Sequence, residues 1–442
     1  MPPGIHNAYY FQLLNTISFN IVAGVPMMLY VQSLGASAAI IAIIGALPNL
    51  LNILQIPSAY FLERVGYRLF VLRGWTIRSV FILGIAIIAF WPQLDALTRL
   101  SLTLFLLCGY NIARGFSVAG FLPWITSIIH ENLRGKFLSR DQFCMSLGAL
   151  VSLLAIALFI RKDATIEQFA FLFLISFTTA LGSLFFLRKM PDAPLATVSR
   201  TSEPVPWRVM LGYDPFRRIL LYSITIHLVF AGMGFLWVPM SKTVFSFNDA
   251  QILLLGASGS GSAMLALVLT GSMIDRVGSR PLLLFSLIII VLHLCGWASL
   301  AAQWFPLNLW TISLQQITAG FAAPIFTLAN SRSLMATIPQ MGRSHFFAIY
   351  SVITSLIMGI VPVFWGLLLD TLYRLQLQLL GFSLNAYALI YFVMAAIGSI
   401  AFIQAMKMRE KQSITTEDFL RELFIKTPAR ALSRIFTRRP LP

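Results

Sequence analysis

The sequence predicts an all-α integral membrane protein with twelve transmembrane helices, arranged in two six-helix halves related by a pseudo-twofold repeat. Composition is the first reason, since 58% of the 442 residues are hydrophobic and only 11% are charged, whereas a soluble domain has about 25% charged residues. The apolar residues also fall in runs of about 20, the length of a helix that crosses a hydrocarbon core of about 30 Å. Backbone polar groups in lipid need internal partners, so these runs predict helices.

Twelve apolar runs give the predicted spans in chain order. The first six are Tyr9–Val31, Ala38–Phe61, Leu69–Trp91, Leu100–Ile129, Gln142–Ile160 and Phe169–Leu187. The second six are Ile219–Val238, Ile252–Ile274, Leu282–Trp304, Leu309–Leu334, Phe346–Leu369 and Ala386–Met406.

The distribution of positive charge predicts the orientation of these helices. Most of the 32 lysine and arginine residues fall in connections on the side that holds both termini. The opposite side holds Arg99, Arg161, Lys162, Lys242 and Arg374. Because cytoplasmic loops carry the excess of Lys and Arg, we expect both termini in the cytoplasm, with the chain in a plasma membrane or a bacterial inner membrane. The same distribution argues against nucleic acid as a partner, despite the net charge of +16.

The longest connection lies at the middle of the chain and contains Pro191, Pro194, Pro204, Pro206 and Pro215. Clusters of proline between periodic segments are typical of loops and linkers. We therefore expect an N-terminal bundle at 1–188, a cytoplasmic linker at 189–217, a C-terminal bundle at 218–406 and a basic cytoplasmic tail at 407–442. The tail fits either a short amphipathic segment on the membrane surface or a disordered chain.

Two connections carry the same pattern of residues. Residues Ala59–Arg68, after the second span, read A-Y-F-L-E-R-V-G-Y-R, and residues Gly271–Arg280, after the eighth, read G-S-M-I-D-R-V-G-S-R. The acid, the following Arg and Val, the Gly and the last Arg coincide at one constant offset. Equivalent loops in two halves indicate an internal duplication, which is common among membrane transporters.

These connections resemble the G-x-x-x-D-R-x-G-R-R loop motif of the major facilitator superfamily, at the positions that family uses. The resemblance extends over nearly the whole chain. The first copy has Ala59 and Glu63 where the family has Gly and Asp, and each copy lacks one Arg of the final pair. In that family the loop helps to hold the cytoplasmic side closed. This implies a gating role for Glu63, Arg64, Gly66, Arg68, Asp275, Arg276, Gly278 and Arg280, with charges that only set topology as the alternative.

A second pair of connections looks related to the first. Arg134 lies between the fourth and fifth spans, and Arg343 lies between the tenth and eleventh. Each has a glycine next to it and an aromatic residue close by. The hypothesis is that these two arginines pair with the acids of the first loops when the cytoplasmic side closes.

The resemblance also implies that the first, fourth, seventh and tenth helices line a central cavity. Arg114 lies near the middle of the fourth span, where a charge costs several kcal/mol unless it is paired or hydrated. It therefore predicts a water-filled cavity that accepts an anion. The alternative is an arginine held by carbonyls or amides of neighbouring helices, such as Asn111.

His227 on the seventh span is a candidate proton switch, with a satisfied packing residue as the alternative. His293 is assigned to packing, because the resemblance makes its span, the ninth, peripheral. Seven amides complete the candidates for the cavity: Asn15, Asn20, Asn49, Asn52, Gln55, Gln315 and Gln316. They fit either hydrogen bonds to a solute or hydrogen bonds between helices.

The sequence lacks a nucleotide-binding loop, a metal-ligand cluster and a nucleophile constellation, so we expect neither an enzyme nor a cofactor. The predicted function is a secondary active or facilitative transporter that moves a small-molecule solute through the lipid bilayer by alternating access. Arg114 and the amides favour an organic anion, whereas the aromatic and methionine residues favour multidrug or lipophilic efflux. A coupling proton or counter-ion is an open candidate, and a non-transporting sensor or scaffold with this fold is the alternative from another class.

Overall fold

A computed structural model describes residues 4–55, 57–58, 61, 65–129, 131–192, 207–270, 278–306, 308–337, 343–372, 377–379 and 382–408. The helices of the first half are α1 Asn7–Ala23, α2 Val25–Ser33, α3 Ala38–Leu50, α4 Tyr67–Phe90, α5 Ala96–Ile128, α6 Glu131–Ile160 and α7 Ile166–Arg188, with a 3₁₀ turn at Leu51–Leu54. The second half has α8 Trp207–Gly212, α9 Asp214–Thr243, α10 Asp249–Thr270, α11 Ser279–Ala301, α12 Leu309–Thr337, α13 Arg343–Leu372 and α14 Ala386–Met406.

The predicted twelve-helix membrane fold is confirmed. Within the described residues, 11 helical segments are long and apolar enough to cross a membrane, and the shorter apolar segment Ala38–Leu54 supplies the second span. The apolar part of the fifth span, Arg140–Ile160, agrees with the predicted Gln142–Ile160, but its helix α6 begins earlier, at Glu131. A two-stranded antiparallel hairpin, β1 Leu377–Leu379 and β2 Phe382–Leu384, joins α13 to α14. Residues 193–206 and 409–442 lie outside the described residues, so the expectations for the linker and the tail stay predictions.

The first span is broken in its middle, between α1 and α2. Gly24 has an extended backbone, with φ −107° and ψ −157°. Pro26 follows it and has no N–H to continue the helical ladder. A Cβ added at Gly24 would lie 2.3 Å from the carbonyl oxygen of Asn20, so the chain passes that carbonyl only because the residue is glycine. The break divides the first span into two short helices.

The two halves repeat the same packing. In the first half α1 packs on α6 and α7, and α4 packs on α5 and α7; in the second half α9 packs on α13 and α14, and α11 packs on α12 and α14. The halves meet where α3 packs on α13 and where α6 packs on α10. The repeat exchanges these two contacts, since α3 and α10 are the second spans of their halves and α6 and α13 are the fifth spans.

The duplicated loop motif has the same local structure in both halves. Gly66 precedes α4 with φ 86°, and Gly278 precedes α11 with φ 90°, a backbone region that is essentially restricted to glycine. Arg68 Nη2 donates to the carbonyl oxygen of Arg188 at 2.7 Å, and Arg280 Nη2 donates to that of Met406 at 2.8 Å. Each arginine thus binds the carboxyl end of the last helix of its own half.

The other predicted gating residues cannot be placed in the same way. Glu63, Arg64, Asp275 and Arg276 lie outside the described residues, as do the side chains of Arg134 and Arg343. The pairing proposed for these residues stays a prediction.

Replacing Gly66 by alanine is expected to lower the free energy of unfolding by about 1–3 kcal/mol, because a side chain is strained at this φ and ψ. The control is Gly212→Ala, and both variants are compared in detergent by thermal unfolding followed through tryptophan fluorescence. Neither glycine has a heavy atom within 4 Å of an added Cβ, and only Gly66 has a positive φ. Equal unfolding midpoints for the two variants would contradict the strain that we assign to this turn.

Candidate functional site

A cavity of about 560 Å³ lies among the helices of the second half and reaches one residue of the first half. Its walls come from α9, α11, α12 and α13, together with one residue of α3. The residues that line it are Asn49, His227, Phe230, Met233, Gly234, Ile290, His293, Ala319, Ala323, Phe326, Thr327, Thr354, Ser355 and Met358. None of these described lining residues is an acid, a lysine or an arginine. The cavity therefore combines apolar walls with a few polar groups of no fixed charge.

His227 lines this cavity in a defined tautomer. Its Nδ1 lies 2.6 Å from the carbonyl oxygen of Ser223. Because a carbonyl oxygen only accepts, Nδ1 carries the hydrogen and donates it. The neutral ring then has Nε2 as an acceptor, which is the atom that a solute or a proton would bind.

His293 also lines the cavity, although the sequence assigns it to packing on a span that the resemblance makes peripheral. The ring reaches the cavity because Gly234 of α9 and Ala319 and Ala323 of α12 are small and leave an opening to α11. The indole Nε1 of Trp297 donates to His293 Nε2 at 2.9 Å. Since the indole nitrogen is a donor only, Nε2 carries no hydrogen and the ring is neutral.

Asn49 is the one predicted amide among the described residues that line the cavity. Asn20 instead donates from Nδ2 to Ser152 Oγ at 3.2 Å, which joins α1 to α6. Asn111 donates to the carbonyl oxygen of Leu107 in its own helix at 2.9 Å. Asn20 therefore joins two helices, and Asn111 binds the backbone of its own helix.

The three glutamines of the candidate set lie at helix contacts or next to the 3₁₀ turn. The Gln315 amide occupies space that Gly296 leaves open, because a Cβ added at Gly296 would lie 2.0 Å from Gln315 Nε2. The carbonyl oxygen of Gln316 lies at the contact of α12 with α10, 3.2 Å from a Cβ added at Gly259. Gln55 is half-buried, and its carbonyl oxygen accepts from Ser58 Oγ at 2.8 Å.

Arg114 is bound by the second span of its own half. Its Nη1 donates to the carbonyl oxygen of Pro48 and to Asn52 Oδ1, both at 3.1 Å. Its guanidinium also lies over the ring of Phe19, 5.0 Å from the centroid, a favourable cation–π position. Arg114 Nη1 and Asn52 Oδ1 are thus paired, and neither residue is among those that line the cavity.

The halves are joined at the end of the bundle opposite the N-terminus, which we call the distal end. Asp370, near the end of α13, accepts from the backbone nitrogens of Ala38 at 3.2 Å and Ala39 at 3.1 Å. These are free N–H groups in the first turn of α3, where a carboxylate is also favoured by the helix dipole. This contact fastens the fifth span of the second half to the second span of the first half.

A charged network makes a second distal contact. Lys242, at the end of α9, binds the carboxylates of Asp163 at 2.5 Å and of Asp249, which is buried. Asp249 Oδ2 also accepts from the backbone nitrogen of Ala164 at 2.8 Å. Asp163 and Ala164 belong to the connection between α6 and α7, so the network links α9 and α10 to the first half.

The sequence matches the family model described as the Major Facilitator Superfamily over residues 10–334. This match covers well over half of the chain. The chain belongs to the major facilitator superfamily. Comparison with curated protein sequences gives no significant match.

Solved structures of superfamily transporters are similar to this chain at low sequence identity. A D-xylose-proton symporter has a TM-score of 0.72 at 16% identity, over 92% of this chain and 97% of that one. A mutant of the nucleoside transporter NupG has a TM-score of 0.69 at 13% identity, over 92% and 100%. A bacterial homologue of the human lysosomal transporter Spinster, inward-facing and unoccupied, has 0.64 at 13%, over 93% and 98%. Such identities establish the superfamily fold alone.

Arg78 is a buried charge of this superfamily member that the sequence reasoning did not single out. It lies on α4 with a relative exposure of 2%, and its Nη2 donates to Asn15 Oδ1. The guanidinium lies 4.6 Å from the ring centroid of Trp75, whose Nε1 also donates to Asn15 Oδ1 at 3.3 Å. The position of Arg78 inside an apolar run is the sequence signal that identifies it as a buried charge. Asn15, predicted as a cavity residue, is the acceptor that holds this cluster.

Asp141 is a buried acid that the sequence reasoning also missed. It lies on α6 with a relative exposure of 7%, and its Oδ1 has no hydrogen-bond partner among the described residues. The predicted fifth span began at Gln142, one residue later, which placed Asp141 in a loop. The helix starts ten residues earlier than Asp141, so Asp141 lies inside a helix and not in a loop.

Arg78→Lys is expected to lower the free energy of unfolding by about 2–4 kcal/mol, because a lysine keeps the buried charge and loses the planar contact with Trp75 and the hydrogen bond to Asn15. The matched control is Arg73→Lys on the same helix, where the side chain is exposed. Thermal unfolding in detergent measures both. Similar midpoints for the two variants would mean that the Arg78 cluster contributes no stability.

Proposed function

We propose that this chain carries a small uncharged solute across the membrane by alternating access, and that the solute binds in the cavity lined by α9, α11, α12 and α13. The main observation in support of this proposal is the cavity itself. Pockets that bind small molecules usually measure about 300–1,000 Å³ and combine apolar walls with a few polar groups, and a cavity of about 560 Å³ fits that description. In alternating access, two bundles rock around such a site and expose it to one side at a time.

The lining favours a solute without formal charge. Asn49, Thr354 and Ser355 supply amide and hydroxyl groups, which can hydrogen-bond to a neutral polar solute. An ionised solute placed against these walls would be desolvated without an opposite charge, which costs several kcal/mol. A neutral solute with hydroxyl groups and an apolar part meets both kinds of wall.

An organic anion at Arg114 is the first alternative within transport. The contacts of Arg114 with Pro48, Asn52 and Phe19 favour a structural role for the guanidinium, since its Nη1 already has two acceptors and its plane lies over a ring. Lipophilic efflux is the second alternative and is favoured by the apolar wall of Phe230, Met233, Phe326 and Met358. A sensor or scaffold without transport is the alternative outside this class.

The distal contacts support an inward-facing assignment for this conformation. Asp370 and Lys242 join the halves at the end opposite the termini. The excess of Lys and Arg on the side of the termini favours a cytoplasmic location for that side, which makes the distal end extracellular. We propose a plasma membrane or a bacterial inner membrane as the location. His227 is our candidate for a coupling proton, because its Nε2 faces a solute-sized space as an acceptor.

Proteoliposomes that contain the purified protein are expected to take up a neutral hydroxylated solute from a panel of pentoses, polyols and nucleosides. For the solute carried, Thr354→Val raises KM about three- to tenfold, the equivalent of one lost hydrogen bond. Thr371→Val on the same helix is the control. Both hydroxyls bond a carbonyl of their own helix, Thr354 to Tyr350 at 2.9 Å and Thr371 to Leu368 at 2.8 Å, but only Thr354 lines the cavity.

The same uptake assay is run with organic anions and with lipophilic drugs, and three outcomes contradict the proposal. Uptake of organic anions alone, lost in Arg114→Ala, would establish the anion alternative. Uptake of lipophilic drugs alone would establish efflux. The absence of flux for every class of solute would favour a sensor or scaffold.

Removing the distal charge network is expected to expose the cavity to the distal side. In a chain whose Cys108, Cys144 and Cys295 are replaced by serine, Thr327→Cys is labelled by a membrane-impermeant maleimide from the distal side of sealed vesicles. Adding Lys242→Met increases the labelling rate about fivefold, since a loss of about 1 kcal/mol changes a population ratio by that factor. Lys189→Met, at the opposite end, is the control. Equal labelling rates in the Lys242→Met and Lys189→Met variants would show that the network does not keep the distal end closed.

A further inference from the structure

The cavity extends to α11, a helix that packs on α12 and α14 of the second half. Ile290 and His293 of α11 line this extension, together with Gly234 of α9 and Ala319 and Ala323 of α12. We propose that this extension, here called the ring pocket, holds the flat uncharged ring of the solute, aromatic or heteroaromatic, and that the hydroxylated part of the solute binds outside it. This inference rests on the proposed function and names the class of solute.

Small residues create the entrance of the ring pocket. A Cβ added at Gly234 would have no heavy atom within 4 Å, so this glycine borders open space. Gly232, two residues earlier, is the contrast, because a Cβ there would lie 1.8 Å from Met394 Cε. Neighbouring helix axes usually lie about 8–10 Å apart. A gap left by missing side chains between two such helices admits a flat group more readily than a bulky one.

Aromatic rings form the wall next to this entrance. The rings of Phe230 and Phe326 have centroids 4.8 Å apart and an interplanar angle of 54°. The ring of His227 lies 6.4 Å from that of Phe230 at 71°. Aromatic pairs prefer such tilted or edge-on geometries, and a further ring can join them by stacking or by its edge.

At α11, the hydrogen-bonding groups of the ring pocket already have partners. His293 Nε2 accepts from Trp297, and His293 Nδ1 lies 3.4 Å from Thr318 Oγ1. Trp297 in turn stacks on Phe245, with centroids 5.9 Å apart, and on Tyr391, with centroids 6.3 Å apart. A group next to α11 meets neutral ring surface and the side chain of Ile290, which suits an apolar ring face.

The amide and two of the hydroxyl groups of the cavity lie on helices outside the ring pocket. Thr354 and Ser355 belong to α13, and Asn49 belongs to α3 of the first half. A solute with a ring at one end and hydroxyl groups at the other satisfies both parts of the cavity. The hydroxyl end would then contact the first half, while the ring is held by the second half.

The test compares neutral solutes with and without a ring. The probes are uridine and inosine, which carry an uncharged ring and hydroxyl groups, and ribose and xylitol, which carry hydroxyl groups alone. Thermal unfolding of the full-length protein in detergent reports binding, because a ligand of the folded state raises the midpoint. We expect at least one ring-bearing probe to stabilise the wild-type protein, with ribose and xylitol weaker by tenfold or more in apparent Kd.

Substitutions that fill the entrance of the ring pocket test this proposal most directly. Gly234→Leu is expected to weaken binding of the ring-bearing probe by tenfold or more, and Gly234→Ala by less. Gly212→Leu is the control, since its Cβ also meets no heavy atom within 4 Å and the residue lies outside the cavity. Because leucine is a better helix former than glycine, neither leucine variant is expected to unfold more easily.

The outcomes separate this inference from the proposed function. Binding of ribose or xylitol in preference to the ring-bearing probes overturns the ring pocket and leaves neutral-solute transport standing. The ring pocket is also overturned, with neutral-solute transport intact, if Gly234→Leu binds the ring-bearing probe as the wild type does. If no neutral solute stabilises the wild type and an organic anion does, both the ring pocket and the neutral-solute proposal fail.

Discussion

The close contact of α3 with α13 is the constraint on which the arrangement of the two halves depends. A Cβ added at Gly359 would lie 2.6 Å from Leu50 Cβ, and one at Gly366 would lie 2.9 Å from Ala39 Cα. Lipid gives no hydrophobic drive for helices to associate, so van der Waals packing at small residues has to hold them together. Asp370 adds two hydrogen bonds to the first turn of α3 at the distal end of the same contact.

The cavity and the distal contacts follow from this packing. Because α3 is fixed against α13, Asn49 of the first half borders a cavity whose other walls belong to the second half. The contact of α6 with α10 is the repeat-related counterpart of the α3–α13 contact, and the network around Lys242 lies beside it. A solute that contacts Asn49 and the second half together would therefore sense the relative position of the halves, which is what alternating access requires.

The sequence predicted those features that a single helix or loop determines. Apolar runs predicted the spans because lipid exposure acts on each run separately, and the repeated motif located Gly66 and Gly278, whose positive φ is a local property. The partners of polar side chains depend on which helices pack together, and the apolar pattern of a single helix does not specify its neighbours. Asn15 and Asn52 thus accept hydrogen bonds from Arg78 and Arg114. His293 reaches the cavity through a gap left by small residues of two other helices.

Distances between the distal ends of the two halves test alternating access most directly. Spin labels at Gln93→Cys and Phe305→Cys, in a chain without the three native cysteines, report this separation in liposomes by pulsed electron paramagnetic resonance. Alternating access predicts a short and a long distance population, with the long one enriched when Asp370→Asn and Lys242→Met are combined. A single distance that stays the same in the wild type and in the combined variant would contradict a gate at the distal end.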